Sequence, residues 1–359
     1  MGQLRHATVA GFVTETKIRH PELGDLSQVA SGRSIRLLDG PEDGVRAIDV
    51  RVAGGIDALV LADRGLDIGP AWCGGFPLAW QSPTGIVHPS YFRDEVWLRS
   101  FHGGLMFTAG LQNVGSAVRE GDEQHGLHGR LSNLPARNVT VETVDDARGL
   151  AVVVRGEVRE TTVYGVDLVL HRTLRFAVGD PRIELTDEIE NRGYEPAPIF
   201  VLYHVNLGHP VVAETSRLIV PPGDVIGWDE VSRSAEADNG RFLPPTPGFP
   251  VQVFEHRLAT NVGNWVRVGV VNEREPASAG IGVVVEYDRR QLPRLWQWRM
   301  LNQGLYLTGI EPANCGIRGR VAELDEGPID LLRPGDRRTF GIVIRAAIGS
   351  DMARLVGGG

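Results

Sequence analysis

Asp167-Leu168-Val169-Leu170-His171-Arg172-Thr173-Leu174-Arg175-Phe176 and, a few residues on, Arg182-Ile183-Glu184-Leu185-Thr186-Asp187-Glu188-Ile189 decide the fold. In the second stretch polar and apolar residues alternate over Arg182-Ile183-Glu184-Leu185-Thr186, the two-residue period of a strand with one face on a core and the other toward water. Both belong to a longer series that runs Asn138 to Val144, Leu150 to Val158, Asp167 to Phe176, Arg182 to Ile189 and Ala197 to Leu207. Centres ~10–15 residues apart leave little room for crossover helices, so neighbours should pair antiparallel. Outside the series, Asp57 to Ala62 precedes the turn-like Asp63-Arg64-Gly65. Further strands are expected over Asn264 to Val271, Gly280 to Tyr287, Leu295 to Met300, Gly304 to Ile310 and Thr339 to Ile348. The 45 glycines and 22 prolines are spread between these runs as turn punctuation. The prediction is an all-β protein, a large antiparallel β-sandwich forming a single domain over residues 1–359, with no internal repeat and no linker.

Two segments read differently. Gly223 to Pro250 is polar and ends in Pro244-Pro245-Thr246-Pro247, which suits either a long surface connection or the wall of a site. Ser350 to Val356 reads as a short helix ahead of Gly357-Gly358-Gly359.

Composition narrows the functional classes. Lys plus Arg total 37 against 45 Asp plus Glu, a formal net charge of −8, and 23% of the 359 residues are charged. That is an ordinary surface for a soluble protein, and it speaks against a nucleic-acid partner. The 42% of hydrophobic residues supply ample core and exclude a wholly disordered chain. Cys73 and Cys315 are the two cysteines; they cannot build a disulfide framework and sit in no metal-ligand spacing, so a reducing, cytoplasmic setting is expected. Met1-Gly2-Gln3-Leu4-Arg5-His6 leads into polar residues without the apolar stretch of a signal peptide. No run approaches the ~18 apolar residues of a membrane span. Ligands are therefore expected to be met in solution, without a membrane, and the state in solution to be a monomer or weak homodimer.

Of ten histidines, His125 and His128 fall together in Glu123-Gln124-His125-Gly126-Leu127-His128-Gly129-Arg130. Glycines beside both imidazoles let a ligand approach the backbone, and Arg130 adds an oxygen-recognising fork. The segment suits a sugar or an anion; it would also read as a plain polar loop, or as a metal site short of ligands. His204 and Asn206 stand at i and i+2 in the apolar run Phe200-Val201-Leu202-Tyr203-His204-Val205-Asn206-Leu207, so both face one side of a sheet. A core histidine satisfied by a carbonyl and a histidine lining a pocket both fit, and the same-face amide favours the pocket. Glu311 ends the run Gly304 to Ile310 and is followed by Pro312, which holds it rigidly. A carboxylate there is either a strand-end surface acid or a base whose pKa burial would raise and a nearby cation would lower.

Four motifs in chain order carry a resemblance: Asp63-Arg64-Gly65-Leu66-Asp67-Ile68-Gly69; Phe101-His102-Gly103-Gly104-Leu105-Met106-Phe107-Thr108-Ala109-Gly110-Leu111; Leu127-His128-Gly129 with Tyr203-His204-Val205-Asn206-Leu207; and Gly309-Ile310-Glu311-Pro312-Ala313-Asn314. Together they resemble the galactose mutarotase (aldose 1-epimerase) superfamily, in particular its aldose-epimerase-like (DUF4432-type) branch. The resemblance implies a β-supersandwich with a sugar on its open face, a His general acid matched by His204 and a Glu general base matched by Glu311. It implies that His128 hydrogen-bonds the sugar. The histidine-to-asparagine spacing is two residues shorter than in that family. The family's Asn-Arg pair ahead of Leu-His-Gly is replaced by Gly103 to Leu111, so galactose should not be carried over as substrate. Leu292-Pro293-Arg294-Leu295-Trp296-Gln297-Trp298-Arg299 resembles the strand that sets an aromatic and an amide beside the sugar, although Trp296 and Trp298 also suit a core face. Phe254-Glu255-His256 is a looser match to an acidic position that binds hydroxyls.

The resulting expectation is a cofactor-independent and metal-independent aldose 1-epimerase-like isomerase whose partner is a small carbohydrate. Its candidate site comprises His204 and Glu311 as catalysts, with Arg64, His125, His128, Arg130, Asn206, Trp296, Gln297, Trp298 and Asn314 around the substrate. Two alternatives use the same residues: an epimerase or lyase that takes a proton next to the carbonyl of a keto-sugar, with Arg64 and Arg130 on the enolate, and a non-catalytic carbohydrate-binding protein. A glycosidase fits less well, because only one good carboxylate is apparent where that chemistry uses two.

Overall fold

The computed structural model describes residues 21–273, 280–327 and 329–356. Met1 to His6 and the terminal glycines lie outside the described residues. All strand pairings formed there are antiparallel apart from one isolated parallel bridge between Gly110 and Gly129. Three sheets organise the chain. A five-stranded sheet runs in chain order from Ala30–Arg36 to Phe76–Pro77. An eight-stranded sheet carries the first four members of the series read from the sequence, now Arg137–Asp146, Gly149–Thr161, Asp167–Ala177 and Arg182–Asn191, and continues through Arg337–Ile348, Ile281–Asp288 and Trp265–Asn272 to Ser216–Ile219; the fifth joins the next sheet. The central strands pair in continuous register, for example Leu174 opposite Leu185 and Leu185 opposite Ile342, whereas the pairing of Arg137–Asp146 with Gly149–Thr161 shifts register between Arg155 and Glu157.

A seven-stranded sheet holds the remaining candidates. Its order is Gly223–Gly227, Gln252–Leu258, Arg294–Leu301, Tyr306–Ala313, Ala197–Gly208 and Asp330–Leu332, with Phe107–Leu111 also paired to Ala197–Gly208. One face, bearing Tyr203, Val205, Ile310 and Leu295, packs into the common core with both other sheets. The opposite face bears Leu202, Trp296, Leu307 and Ala313, which gather with Trp80, Trp97, Phe101 and Phe107 into a second apolar cluster. The two faces follow from the two-residue period, and every chemical role below depends on which of them a side chain occupies.

Gly223 to Pro250 is more than a surface connection. Gly223–Gly227 adds a strand to the sheet edge, Phe242 enters the core, and the carbonyls of Asp238, Asn239 and Leu243 accept from Arg299, Gln297 and Tyr306. Ser350 to Val356 coils as expected, a 3-10 turn over Gly349–Met352 leading into Ala353–Val356.

One buried polar knot ties the three sheets together. The Arg172 guanidinium, fully buried, donates to Asp187 at 2.9 and 2.7 Å, to Asp67 at 2.8 Å and to Thr108 Oγ1 at 2.9 Å. Tyr203 donates to Asp187 at 2.8 Å, and Thr108 and Ser132 donate to Asp67. Tyr203 precedes His204 and Thr108 follows Phe107, so the knot fixes the backbone on which the cleft face is built.

Candidate active site

His204 and Glu311 meet on the outer face of the seven-stranded sheet. The registers Leu202 with Ala313 and Val205 with Ile310 set Glu311 opposite His204. His204 Nε2 lies 3.1 Å from Glu311 Oε1. This contact falls outside hydrogen-bond geometry, and among the described residues Glu311 Oε1 and His204 Nδ1 are both buried without a hydrogen-bond partner. The same transverse row continues on either side: Trp296 pairs with Glu311, Glu255 with Trp296, and Phe107 with His204. Gly309, next along the Glu311 strand on that face, makes room for the pair. A Cβ at Gly309 would stand 2.5 Å from Glu311 Oε1 and 3.0 Å from His204 Cε1.

Aromatic rings wall the pair. Trp298, Phe101 and His128 have ring centroids 5.5, 5.6 and 5.8 Å from that of His204, and Trp80 meets Trp298 edge-on at 6.0 Å. His128 holds a left-handed backbone (φ 57°), which a loop must pin to keep in a non-glycine residue. Its N–H and C=O bond Gly115 and Gly110, and its Nδ1 accepts from the Gly115 N–H at 3.3 Å. Nε2 of neutral His128 therefore carries the proton and acts as a donor.

This enclosure disfavours charge on every titratable group in it. Burial pushes the Glu311 carboxyl up to about 8. Burial lowers His204 to about 3 and His128 to about 4. No cation offsets the shift on Glu311, so of the two opposing influences expected for it burial prevails. Near neutrality the pair carries one proton in total and no net charge, whichever partner holds it.

That balance predicts a pH dependence of stability. Folding raises the Glu311 pKa from 4.5 to about 8, so the folded state retains a proton that the unfolded chain loses, and stability falls as pH rises through that window. His204, depressed from 6.5 to about 3, has the opposite slope as pH falls. Thermal unfolding of Glu311→Gln at pH 6.5 and 9 should show wild type losing more Tm than the variant over this interval. Equal losses would mean that Glu311 ionises as freely in the fold as in the unfolded chain.

A family model described as a domain of unknown function, DUF4432, matches residues 42–346. The chain belongs to the DUF4432 family. Among solved structures, a candidate aldose 1-epimerase from Klebsiella pneumoniae subsp. pneumoniae MGH 78578 superposes with a TM-score of 0.84 at 25% identity, over 91% of this chain and 85% of that one. A galactose mutarotase-like protein from Clostridium acetobutylicum shares the fold at a TM-score of 0.60 and 14% identity, over 89% of this chain and 99% of that one. So does a galactose 1-epimerase from Lactobacillus acidophilus NCFM, at 0.57 and 14%, over 89% and 99%. This DUF4432 protein is thus a member of the galactose mutarotase-like superfamily. No curated protein sequence matches the chain.

Of the residues singled out in the DUF4432 sequence, His204, Glu311, Asn206, His128, Trp296 and Trp298 come together on the cleft face or its rim. The others are placed elsewhere. Arg64 is fully buried and donates to the carbonyls of Ser132, Val87 and Ser100, each at 2.7 Å, so it staples three loops and is held away from solvent. Gln297 lies on the core face, bonded to His256 at 2.9 Å and to Asn239 O, because it is one residue out of phase with Trp296 and Trp298. Asn314 spends its amide on Val201 N–H, Ile199 O and Asp330, joining strand ends. His125 sits in the two-stranded hairpin among Glu123, Arg320, Glu120 and Asp94. Arg130 is exposed beside Asp94 and Glu160.

Several cleft groups were not read as such. Trp80, Trp97 and Phe101 come from loops with no periodic signal. Glu255, noted only as a loose match, lies in the row of the pair and is bridged to Arg294 at 2.7 Å and Arg257 at 3.1 Å. Among the described residues no cluster of three or more His, Cys, Asp and Glu side chains is arranged for a metal ion, and no helix is long and apolar enough to cross a membrane.

Proposed function

We propose that this protein is a cofactor-independent mutarotase-like isomerase that opens and closes the ring of a small cyclic sugar. The observation that carries the reading is the contact of His204 Nε2 with Glu311 Oε1 at 3.1 Å on an aromatic-walled face of the sheet. The anomeric hydroxyl and the ring oxygen are bonded to the same carbon, so one compact acid–base pair can reach both. In its charge-separated form the pair has a carboxylate and an imidazolium. The carboxylate takes the proton of the anomeric hydroxyl, the imidazolium gives one to the ring oxygen, the bond between C1 and the ring oxygen breaks, and the aldehyde forms. Rotation about the C1–C2 bond and the reverse transfers close the ring with the other anomeric configuration. Trp298 and Phe101 offer faces for the apolar C–H patches of the sugar, and His128 Nε2–H offers a donor to a hydroxyl. The name of the Klebsiella neighbour supports an isomerase-type activity for this chain.

We favour this over the keto-sugar reading, because Arg64 is buried and bonded to three carbonyls and Arg130 is exposed beside Asp94 and Glu160. The test is NMR exchange spectroscopy between anomers on a panel of neutral sugars, uronic acids and keto-sugars. Accelerated exchange in at least one aldose is the expected result. Binding without acceleration would make the protein a sugar-binding module, and deuterium appearing on carbon in D₂O would restore the keto-sugar chemistry.

Gly309→Ala provides a sharper check on geometry. Its methyl group would push the Glu311 carboxyl and the His204 ring apart, and displacements near ~1 Å cost on the order of 10²-fold in rate. The variant should fold, bind sugar and exchange anomers at least ~10-fold more slowly. Exchange at the wild-type rate would show that the pair need not be in contact.

A further inference from the structure

Asn206 lies two residues from His204 on the same strand and the same face, fully buried. Its Nδ2 donates to Gly104 O and to His204 O, both at 3.1 Å. Those two bonds fix the amide, since a flipped group would aim Oδ1 at two carbonyl oxygens. Among the described residues Oδ1 is left buried without a hydrogen-bond partner, and so is Nδ1 of His204. One atom can only accept; the other becomes a donor when protonated. The Asn206 side chain also favours the protonated imidazole, against the stronger opposite effect of burial. The other groups around the ring are Phe101, Trp298, His128 and Glu311, and the contact at Nε2 is made by Glu311 Oε1, at 3.1 Å.

We propose that Asn206 is a positioning residue: its free Oδ1 favours neutral His204 as the Nδ1–H tautomer, which leaves Nε2, the nitrogen nearest Glu311, unprotonated and able to receive the transferable proton that resides on Glu311 in the resting pair. Moving that proton from Glu311 Oε1 to His204 Nε2 gives the carboxylate and the imidazolium together. Nδ1–H stays with Asn206 throughout, and no proton enters or leaves the site. The catalytic consequence rests on the reading of His204 and Glu311 as the acid–base pair; the tautomer does not.

The experiment is two-bond ¹H–¹⁵N NMR of the full-length protein labelled with ¹⁵N-histidine, at pH 7 and without sugar, the His204 signals being assigned with His204→Asn. Wild type should show Nδ1 as the protonated nitrogen and Nε2 as the lone-pair nitrogen. Asn206→Ala should shift His204 toward the Nε2–H form and lower kcat several-fold at unchanged KM, whereas Asn206→Asp, which keeps an acceptor, should retain Nδ1–H. An Nε2–H tautomer in wild type, two protonated nitrogens, or an unchanged tautomer in Asn206→Ala would overturn the proposal. The wild-type spectrum decides even if a variant fails to fold. A protein that exchanges no sugar but shows the Nδ1–H tautomer would refute the proposed function and leave this assignment standing.

Discussion

Glu311→Gln should slow anomer exchange by ~10²- to 10⁴-fold while leaving the fold and sugar binding in place. Glutamine has nearly the shape of glutamic acid, and the site already disfavours the carboxylate, so the exchange removes a proton-transfer group at little structural cost. His204→Ala should lose a comparable factor, with some added loss of stability from the cavity beneath Phe101 and Trp298. The double variant should be little worse than either single one, because groups acting as a unit are strongly non-additive. Exchange rates by NMR, with near-ultraviolet circular dichroism as the check on folding, measure all three. Exchange within about threefold of wild type in folded Glu311→Gln would remove this carboxyl from the mechanism.

Arg172→Leu should destabilise the protein by ~3–5 kcal/mol, the cost typical of removing one member of a buried ionic group. Arg172, Asp67 and Asp187 are all fully buried, and the guanidinium satisfies both carboxylates along with Thr108. Leucine would fill part of the volume and strand two carboxylates in an apolar interior. Combining Arg172→Leu with Asp67→Asn and Asp187→Asn should recover a large part of the loss, since the stranded charges go with the cation. Urea unfolding at pH 7 measures each step. A single variant within about 1 kcal/mol of wild type would show that water or relaxation relieves the carboxylates and that the knot contributes little. Because Tyr203 and Thr108 belong to the knot, folded Arg172→Leu should also exchange anomers more slowly.

The strands were legible because their residues alternate on a two-residue period that burial imposes. Arg182 to Ile189 is expected and Arg182–Asn191 is found. The same period placed His204 and Asn206 on one face. It could not say which face was the cleft; Gln297, read as a site residue from the resemblance of its strand, is one step from Trp296 and points into the core. The Asp63-Arg64-Gly65-Leu66-Asp67 motif looked chemical and proved to be scaffolding: Asp63 bonds Arg46, Arg64 bonds three carbonyls, and Asp67 bonds Arg172. Polar side chains that hold loops together are indistinguishable in sequence from those that hold substrates, because both are charged residues next to glycine. Trp80, Trp97 and Phe101 were unreadable for the opposite reason: their meeting is a property of tertiary packing between loops, with no local pattern to announce it.

The transverse row from Glu255 through Trp296, Glu311 and His204 to Phe107 crosses five strands, one residue from each. A sheet transmits such an alignment through its ladder of backbone bonds, so the reactive floor is a rigid plate, while the walls hang from separate loops. Floor and walls are therefore free to vary independently. Loop substitutions at positions such as Trp80 or Trp97 should reshape the walls while the plate beneath them keeps its alignment.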